Sequence, residues 1–205
     1  MANRIEEFDE KILLCAKDEF LDKGFADASL RTIAQRAGVS TSTIYTRYSD
    51  KEGLFCFLVE PSVNGLKELL NQYLDEFSAL TKHEQSEKMT EYSNRGFECL
   101  ISYIYEHFCE FKLLLTGGPA NFYQDFLESL VELDTNCTKK SLSKIESKAL
   151  LSGRITDDFL HIVSSAFYSG IFEVVIHDMP IAEAKKYITE LRVFYGNGWK
   201  EYYRK

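Results

Sequence analysis

Ser29-Leu30-Arg31-Thr32-Ile33-Ala34-Gln35-Arg36-Ala37-Gly38-Val39-Ser40-Thr41-Ser42-Thr43-Ile44-Tyr45-Thr46-Arg47-Tyr48 is the stretch on which the reading of this chain turns. Ser29 is a good N-cap, and the apolar positions Leu30, Ile33, Ala34 and Ala37 follow it at helical spacing, which predicts a helix over 30–37. Gly38, Val39 and Ser40 make a three-residue turn, with glycine first because positive φ is easiest there. Ser40 then caps a second helix over 41–48. Two short helices so joined predict a helix-turn-helix, which must pack at a steep angle and hold its second helix outward. Ala34 falls where the helices approach, while Val39 and Ile44 plug the space beneath the turn. With Ile44 and Tyr48 turned inward at i, i+4, Thr41, Ser42, Tyr45 and Thr46 face out. Hydroxyls and a methyl that can meet thymine suit the DNA major groove, and Arg47 can reach a base or a phosphate. A merely solvated helix would favour Glu and Lys at such positions.

Working outward, Phe8, Ile12, Ala16 and Phe20 recur every four residues and predict a helix over 4–23, stopped by Gly24. Ser49-Asp50-Lys51-Glu52 has the S-x-x-E capping pattern and predicts a fourth helix opening there. Pro61 is expected to kink or break that helix. The pattern resumes over 63–80, and the polar stretch 81–88 reads as a loop or frayed end. An aromatic-rich helical segment over 89–115 ends at Thr116-Gly117-Gly118-Pro119. Further helices are expected over 122–150, 156–177 and 181–203. The fold class is therefore all-α: an N-terminal three-helix helix-turn-helix DNA-binding domain (1–52) and a larger C-terminal helical bundle (53–205), for which ligand binding and dimerisation are the expectations on the grounds given below.

Composition fits that reading. Of 205 residues 45% are hydrophobic and 27% charged, the balance of a soluble folded chain, and only three prolines interrupt it. A net charge of −8 argues at first against nucleic acid. Its distribution argues otherwise, because 28–49 contains Arg31, Arg36 and Arg47 with no acid, and Lys51 follows closely. Cys15, Cys56, Cys99, Cys109 and Cys137 have no paired spacing and read as reduced, buried thiols. The acidic first twenty residues do not read as a signal peptide, and no run of eighteen apolar residues occurs. A cytoplasmic protein with no membrane partner is expected.

The segment Gly24-Phe25, then 29–40, then Thr43-Ile44-Tyr45-Thr46-Arg47-Tyr48-Ser49-Asp50-Lys51-Glu52-Gly53-Leu54 resembles the N-terminal domain of TetR-family transcriptional regulators, over roughly 9–55. The resemblance implies phosphate contacts from Ser29, Tyr45, Tyr48 and Lys51, and base contacts from Thr41, Ser42, Thr46 and Arg47. Thr32 stands where the family commonly has an acid, Arg47 where histidine is common and Tyr48 where phenylalanine is common, which bears on the preferred operator. It further implies a homodimer on a palindromic double-stranded operator, released by a small-molecule effector.

The larger domain carries weaker signals. Ile181, Ala184, Ile188, Leu191, Tyr195, Gly198 and Tyr202 form a heptad-like stripe, and 159–174 is apolar on much of its circumference. Phe167, Gly170, Val174, Ile188, Leu191 and Tyr195 are the expected dimer-interface residues, against the alternative that both stripes pack only within their own subunit. Phe97, Ile101, Phe108, Phe122, Phe126, Tyr168 and Phe172 are candidates for the wall of an effector pocket, which makes a largely apolar effector the default. Asp157, Asp158 and His161 share a helix face at metal-ligand spacing, but acids at a helix start complement its dipole more simply. No phosphate loop, nucleophile elbow or HExxH motif appears, so no enzyme, no cofactor and no metal are expected. The alternatives are an effector-independent activator or architectural DNA binder, an interaction module that has lost DNA binding, and a helical enzyme.

Overall fold

The computed structural model describes residues 2–119 and 121–204, with side chains described for all of these except 2–8, 86, 89, 90 and 200–204. The side chains of Phe8 and Tyr202 therefore lie outside the described ones. The chain is 86% helical with no strands among the described residues, as the sequence predicts. In order the helices are α1 (Ala2–Asp27), α2 (Leu30–Ala37), α3 (Thr41–Tyr48), α4 (Lys51–Ala79), α5 (Lys82–Glu106), α6 (Phe108–Thr116), α7 (Phe122–Lys144), α8 (Lys148–Leu151), α9 (Asp157–Ile176) and α10 (Ile181–Arg204).

Three local expectations are corrected. Pro61 neither breaks nor ends its helix, because α4 runs through it. The stretch 81–88 is not a loop: Thr81 and Glu84 form a capping box that opens α5. The Thr81 amide donates to Glu84 Oε2 at 2.9 Å, and the Glu84 amide donates back to Thr81 Oγ1 at 3.3 Å. At the start of α4 the cap is Asp50 rather than Ser49, since Asp50 Oδ1 accepts the Gly53 amide at 2.7 Å.

The chain divides into two compact units. The first comprises Met1–Asn64 and His107–Tyr123, so α6 and the turn after it join the N-terminal helices instead of lying beyond a single cut at residue 52. Its core is Ile12, Ala16, Phe20, Ile33, Ala34, Ile44, Leu54, Phe55 and Leu113, all at most 2% exposed. Phe55 makes edge-on contacts with Phe20 at 5.4 Å, Phe25 at 5.5 Å and Phe122 at 6.0 Å. Gly24, at φ 73° and ψ 167°, turns the chain out of the first helix. The following Phe25 amide then donates to the Gly117 carbonyl at 3.0 Å. Lys17 of α1 pairs with Glu110 of α6. Within this unit the N-terminal helices thus rest on the segment 107–123 through a ring cluster that reaches Phe122, a backbone hydrogen bond to Gly117 and an ion pair to Glu110.

The second unit comprises Gly65–Glu106 and Gln124–Lys205. Its interior includes Leu66, Ile104, Leu130, Val131, Ile171, Phe172, Val174 and Val175. α9 is long and apolar enough to cross a membrane by length and composition alone. Its apolarity is used here in packing: Ile171, Phe172, Val174 and Val175 are completely buried. α10 lies close against it, for a Cβ placed on Gly170 would sit 3.2 Å from Leu191 Cδ2.

Candidate nucleic-acid interface

The α2–turn–α3 element is built by caps that the sequence names in advance. Ser29 Oγ accepts the Thr32 amide at 3.4 Å, and the Ser29 amide donates to Glu19 Oε1 at 3.2 Å. Gly38 adopts φ 72° and ψ 29°, the left-handed conformation that ends α2. The Val39 amide donates back to the Ala34 carbonyl at 3.0 Å, satisfying a carbonyl the helix leaves open. Ser40 Oγ accepts the Thr43 amide at 3.1 Å and opens α3. Ile44 is fully buried beneath this turn, worth about 1.5–3 kcal/mol of burial for a side chain of that size.

The outer face of α3 is as the sequence predicts. Tyr45 is 52% exposed, Ser42 and Thr46 are exposed, and Thr41 is half-buried. Thr46 Oγ1 donates to the Ser42 carbonyl at 2.9 Å. Its hydroxyl proton is thereby committed, leaving the oxygen as an acceptor and the methyl group to meet a ligand. Ser40, Ser42, Thr43, Thr46 and Arg47 line a shallow depression of about 230 Å³.

The expected basic patch is less basic than its sequence. Arg36 pairs with Asp18 at 2.8 Å and lies 4.0 Å from Glu19. Arg47 pairs with Asp9 of α1. Tyr48 is buried, and its hydroxyl donates to the same Asp9 oxygen at 3.2 Å. Burial pushes the Tyr48 hydroxyl above the usual tyrosine range, against the lowering effect of Arg47. Lys51 donates to the Ala26 carbonyl at 2.9 Å and the Ala28 carbonyl at 3.2 Å, with its ammonium 4.8 Å above the Phe25 ring. Two of its three donors therefore hold the α1–α2 connection.

Sequence reasoning missed Asp9, Asp50 and Gly53. A Cβ on Gly53 would lie 1.9 Å from the Tyr48 carbonyl oxygen, so only glycine lets α4 begin this close to the end of α3. Nothing in the local sequence pattern around Asp9 marks it as a partner for a residue 38 positions away.

The pocket candidates are divided between the two units. Phe108 and Phe122 belong to the first unit, whereas Phe97, Ile101, Phe126, Tyr168 and Phe172 belong to the second. Phe126 packs on Phe172 at 5.4 Å, and Phe97 and Tyr168 each meet Phe167, at 5.4 and 5.8 Å. Within the second unit lies an unforeseen polar pair: Ser164 Oγ donates to Asp134 Oδ2 at 2.7 Å. Burial pushes the Asp134 carboxyl up, although the Ser164 hydrogen bond opposes this, and burial raises Tyr168 well above its ordinary range. The expected dimer residues are largely used inside one chain. Val174 and Ile188 are 0% and 1% exposed, Gly170 abuts Leu191, and Phe167 meets Tyr195 at 4.9 Å. Asp157 pairs with Lys139 at 2.8 Å, and His161 lies 3.7 Å from Glu128.

An all-helical protein whose first unit carries a capped helix-turn-helix with an exposed hydroxyl face has the architecture of a DNA-binding regulator. Residues 12–56 match the family model described as bacterial regulatory proteins, tetR family, so the resemblance read from 9–55 is borne out over that segment. Among solved structures, the chain is similar to the TetR family transcriptional regulator PfmR from Thermus thermophilus. The two share 19% identity and a TM-score of 0.59, over 88% of this chain and 96% of that one. A member of the TetR transcriptional regulator family from Streptomyces coelicolor aligns at 21% identity and a TM-score of 0.53, over 89% of this chain and 88% of that one. These likenesses extend the fold of such regulators over most of the chain. No curated protein sequence matches it.

Proposed function

We propose that the protein is a ligand-responsive transcriptional regulator, in the simplest case a repressor, and not an enzyme. It binds a palindromic double-stranded operator as a homodimer and is released by a small, largely apolar effector. The carrying observation is the α3 face, where Ser42, Tyr45 and Thr46 stand exposed on a helix fixed from below by Ile44 and from both ends by caps. A rigid, hydroxyl-rich helix whose one formal charge is Arg47 is suited to hydrogen-bonding base edges and phosphates in the major groove.

Dimerisation is supported by apolar surface left over on the last two helices. Ile162 of α9 is 65% exposed and Phe194 of α10 is 75% exposed, with Val193 beside it at 43%. These side chains, rather than Val174 and Ile188, are the ones a second copy would cover. Two-fold symmetry then supplies two reading helices for two half-sites. The effector part of the proposal rests on the aromatic interior of the second unit and on linkage: a ligand releases DNA only if it binds the two states of the protein with different affinity. Footprinting on the DNA flanking its own gene tests the reading. A short symmetric protected site is expected, and no protection at any salt concentration would refute it.

A further inference from the structure

The recognition helix α3, Thr41-Ser42-Thr43-Ile44-Tyr45-Thr46-Arg47-Tyr48, carries a single formal charge, Arg47. In the free protein that charge is taken. Asp9 of α1 pairs with Arg47 Nη1, and the same Asp9 oxygen accepts the Tyr48 hydroxyl at 3.2 Å. The pair is partly shielded, with side-chain exposures of 25% for Arg47 and 35% for Asp9. Arg47 also borders the depression formed by Ser40, Ser42, Thr43 and Thr46, so the paired side chain stands at the edge of the reading face.

A guanidinium recognises a carboxylate, a phosphate and the O6/N7 edge of guanine with the same planar fork of donors. Asp9 and DNA are therefore competitors for one group. We propose that Asp9 is a specificity-determining residue: it holds Arg47 until a ligand offers more than a carboxylate does. A lone phosphate, present at every position of any duplex, replaces one charge-assisted contact by another and returns little. A guanine edge in the right register takes two donors and repays the exchange. The consequence is a penalty on sequence-independent binding that correct sites largely escape. This inference rests on the DNA-binding reading above.

The test uses the full chain in four forms: wild type, Asp9→Asn, Arg47→Gln and the double variant. Glu10→Gln serves as the control for removing an exposed acid from the same helix. Asn keeps the shape of Asp9 and can still accept the Tyr48 hydroxyl. Affinities are measured by fluorescence anisotropy across a salt series, on an operator selected from a random duplex pool and on a scrambled duplex. Freeing an ion pair of this exposure is expected to raise scrambled-duplex affinity roughly three- to fivefold. The slope of log affinity against log salt should steepen by about 0.9, the signature of one added phosphate contact. Operator affinity should change less, so the specificity ratio falls, and the Asp9→Asn effect should vanish in the Arg47→Gln background. An effect no larger than that of Glu10→Gln, or one that persists without Arg47, overturns the inference while leaving the DNA-binding reading intact. If the wild type binds no duplex at all, both fall together.

Discussion

Replacing Gly53 by alanine sets two physical effects against each other with opposite signs. Gly53 lies in the first turn of α4, where alanine is the better helix former by up to about 1 kcal/mol. Propensity alone therefore predicts a more stable protein. The structure predicts the reverse. The added Cβ would lie 1.9 Å from the Tyr48 carbonyl oxygen and 3.1 Å from its carbon, and both are backbone atoms that no rotamer change can move. Accommodating it means shifting the end of α3 away from α4, and overpacking of this kind costs about 1–3 kcal/mol. With backbone on the receiving side we take the upper end, which leaves a net loss of about 2 kcal/mol after the propensity gain. In a chain of this size that lowers Tm by roughly 4–8 °C, measurable by far-UV circular dichroism. Gly38 supplies the comparison. A Cβ there meets nothing within 4 Å, so Gly38→Ala costs only the left-handed conformation at φ 72°, about 1–2 kcal/mol. Asn at position 38 should recover part of that loss, whereas Asn at 53 should recover none. If Gly53→Ala equals or exceeds the wild type in stability, the close approach of α3 and α4 is not what the structure describes and the reasoning fails.

Other consequences concern charge, assembly and recognition. The raised Asp134 carboxyl binds protons more readily folded than unfolded, so its contribution to stability is greatest in acid and is lost as pH rises through the ordinary aspartate range toward the folded value. Asp134→Asn should therefore gain on the wild type as pH rises from acid to neutral in urea titrations; a difference that does not vary with pH would contradict the burial. Phe194→Glu places a charge on exposed apolar surface and should shift sedimentation toward a monomer and weaken operator binding at least tenfold; an unchanged dimer would place the interface elsewhere. Lys51→Gln and Tyr45→Phe should weaken all duplexes alike, and Lys51→Gln should also flatten the salt dependence. Thr46→Ala should instead alter base preference, and equal losses on every operator variant would remove Thr46 from the readers.

The helix-turn-helix was legible because each of its parts is a local device. Ser29, Gly38 and Ser40 act on residues within four positions of themselves, and the inward pair Ile44 and Tyr48 follows from helical periodicity. What stayed hidden was set by distant partners. Arg36 and Arg47 read as a basic patch because the sequence does not display that Asp18 and Asp9 lie against them. Likewise, α9 and α10 read as dimer stripes because an apolar stripe looks the same whether it meets its own subunit or a second copy. Only burial separates Val174 and Ile188, which are spent, from Ile162 and Phe194, which are not. The break expected at Pro61 and the loop expected over 81–88 failed for a different reason: a helix can run on through one exposed proline, and a polar run can still be helical when Thr81 and Glu84 cap it.

Methylation interference on the selected operator tests most directly whether α3 reads the major groove. Dimethyl sulfate marks guanine N7 in the major groove and adenine N3 in the minor groove. The account predicts that methylated guanines block binding in two symmetric clusters about one helical turn apart, and that methylated adenines between them do not. Interference confined to minor-groove adenines, or absent altogether at a site the protein demonstrably occupies, would contradict it.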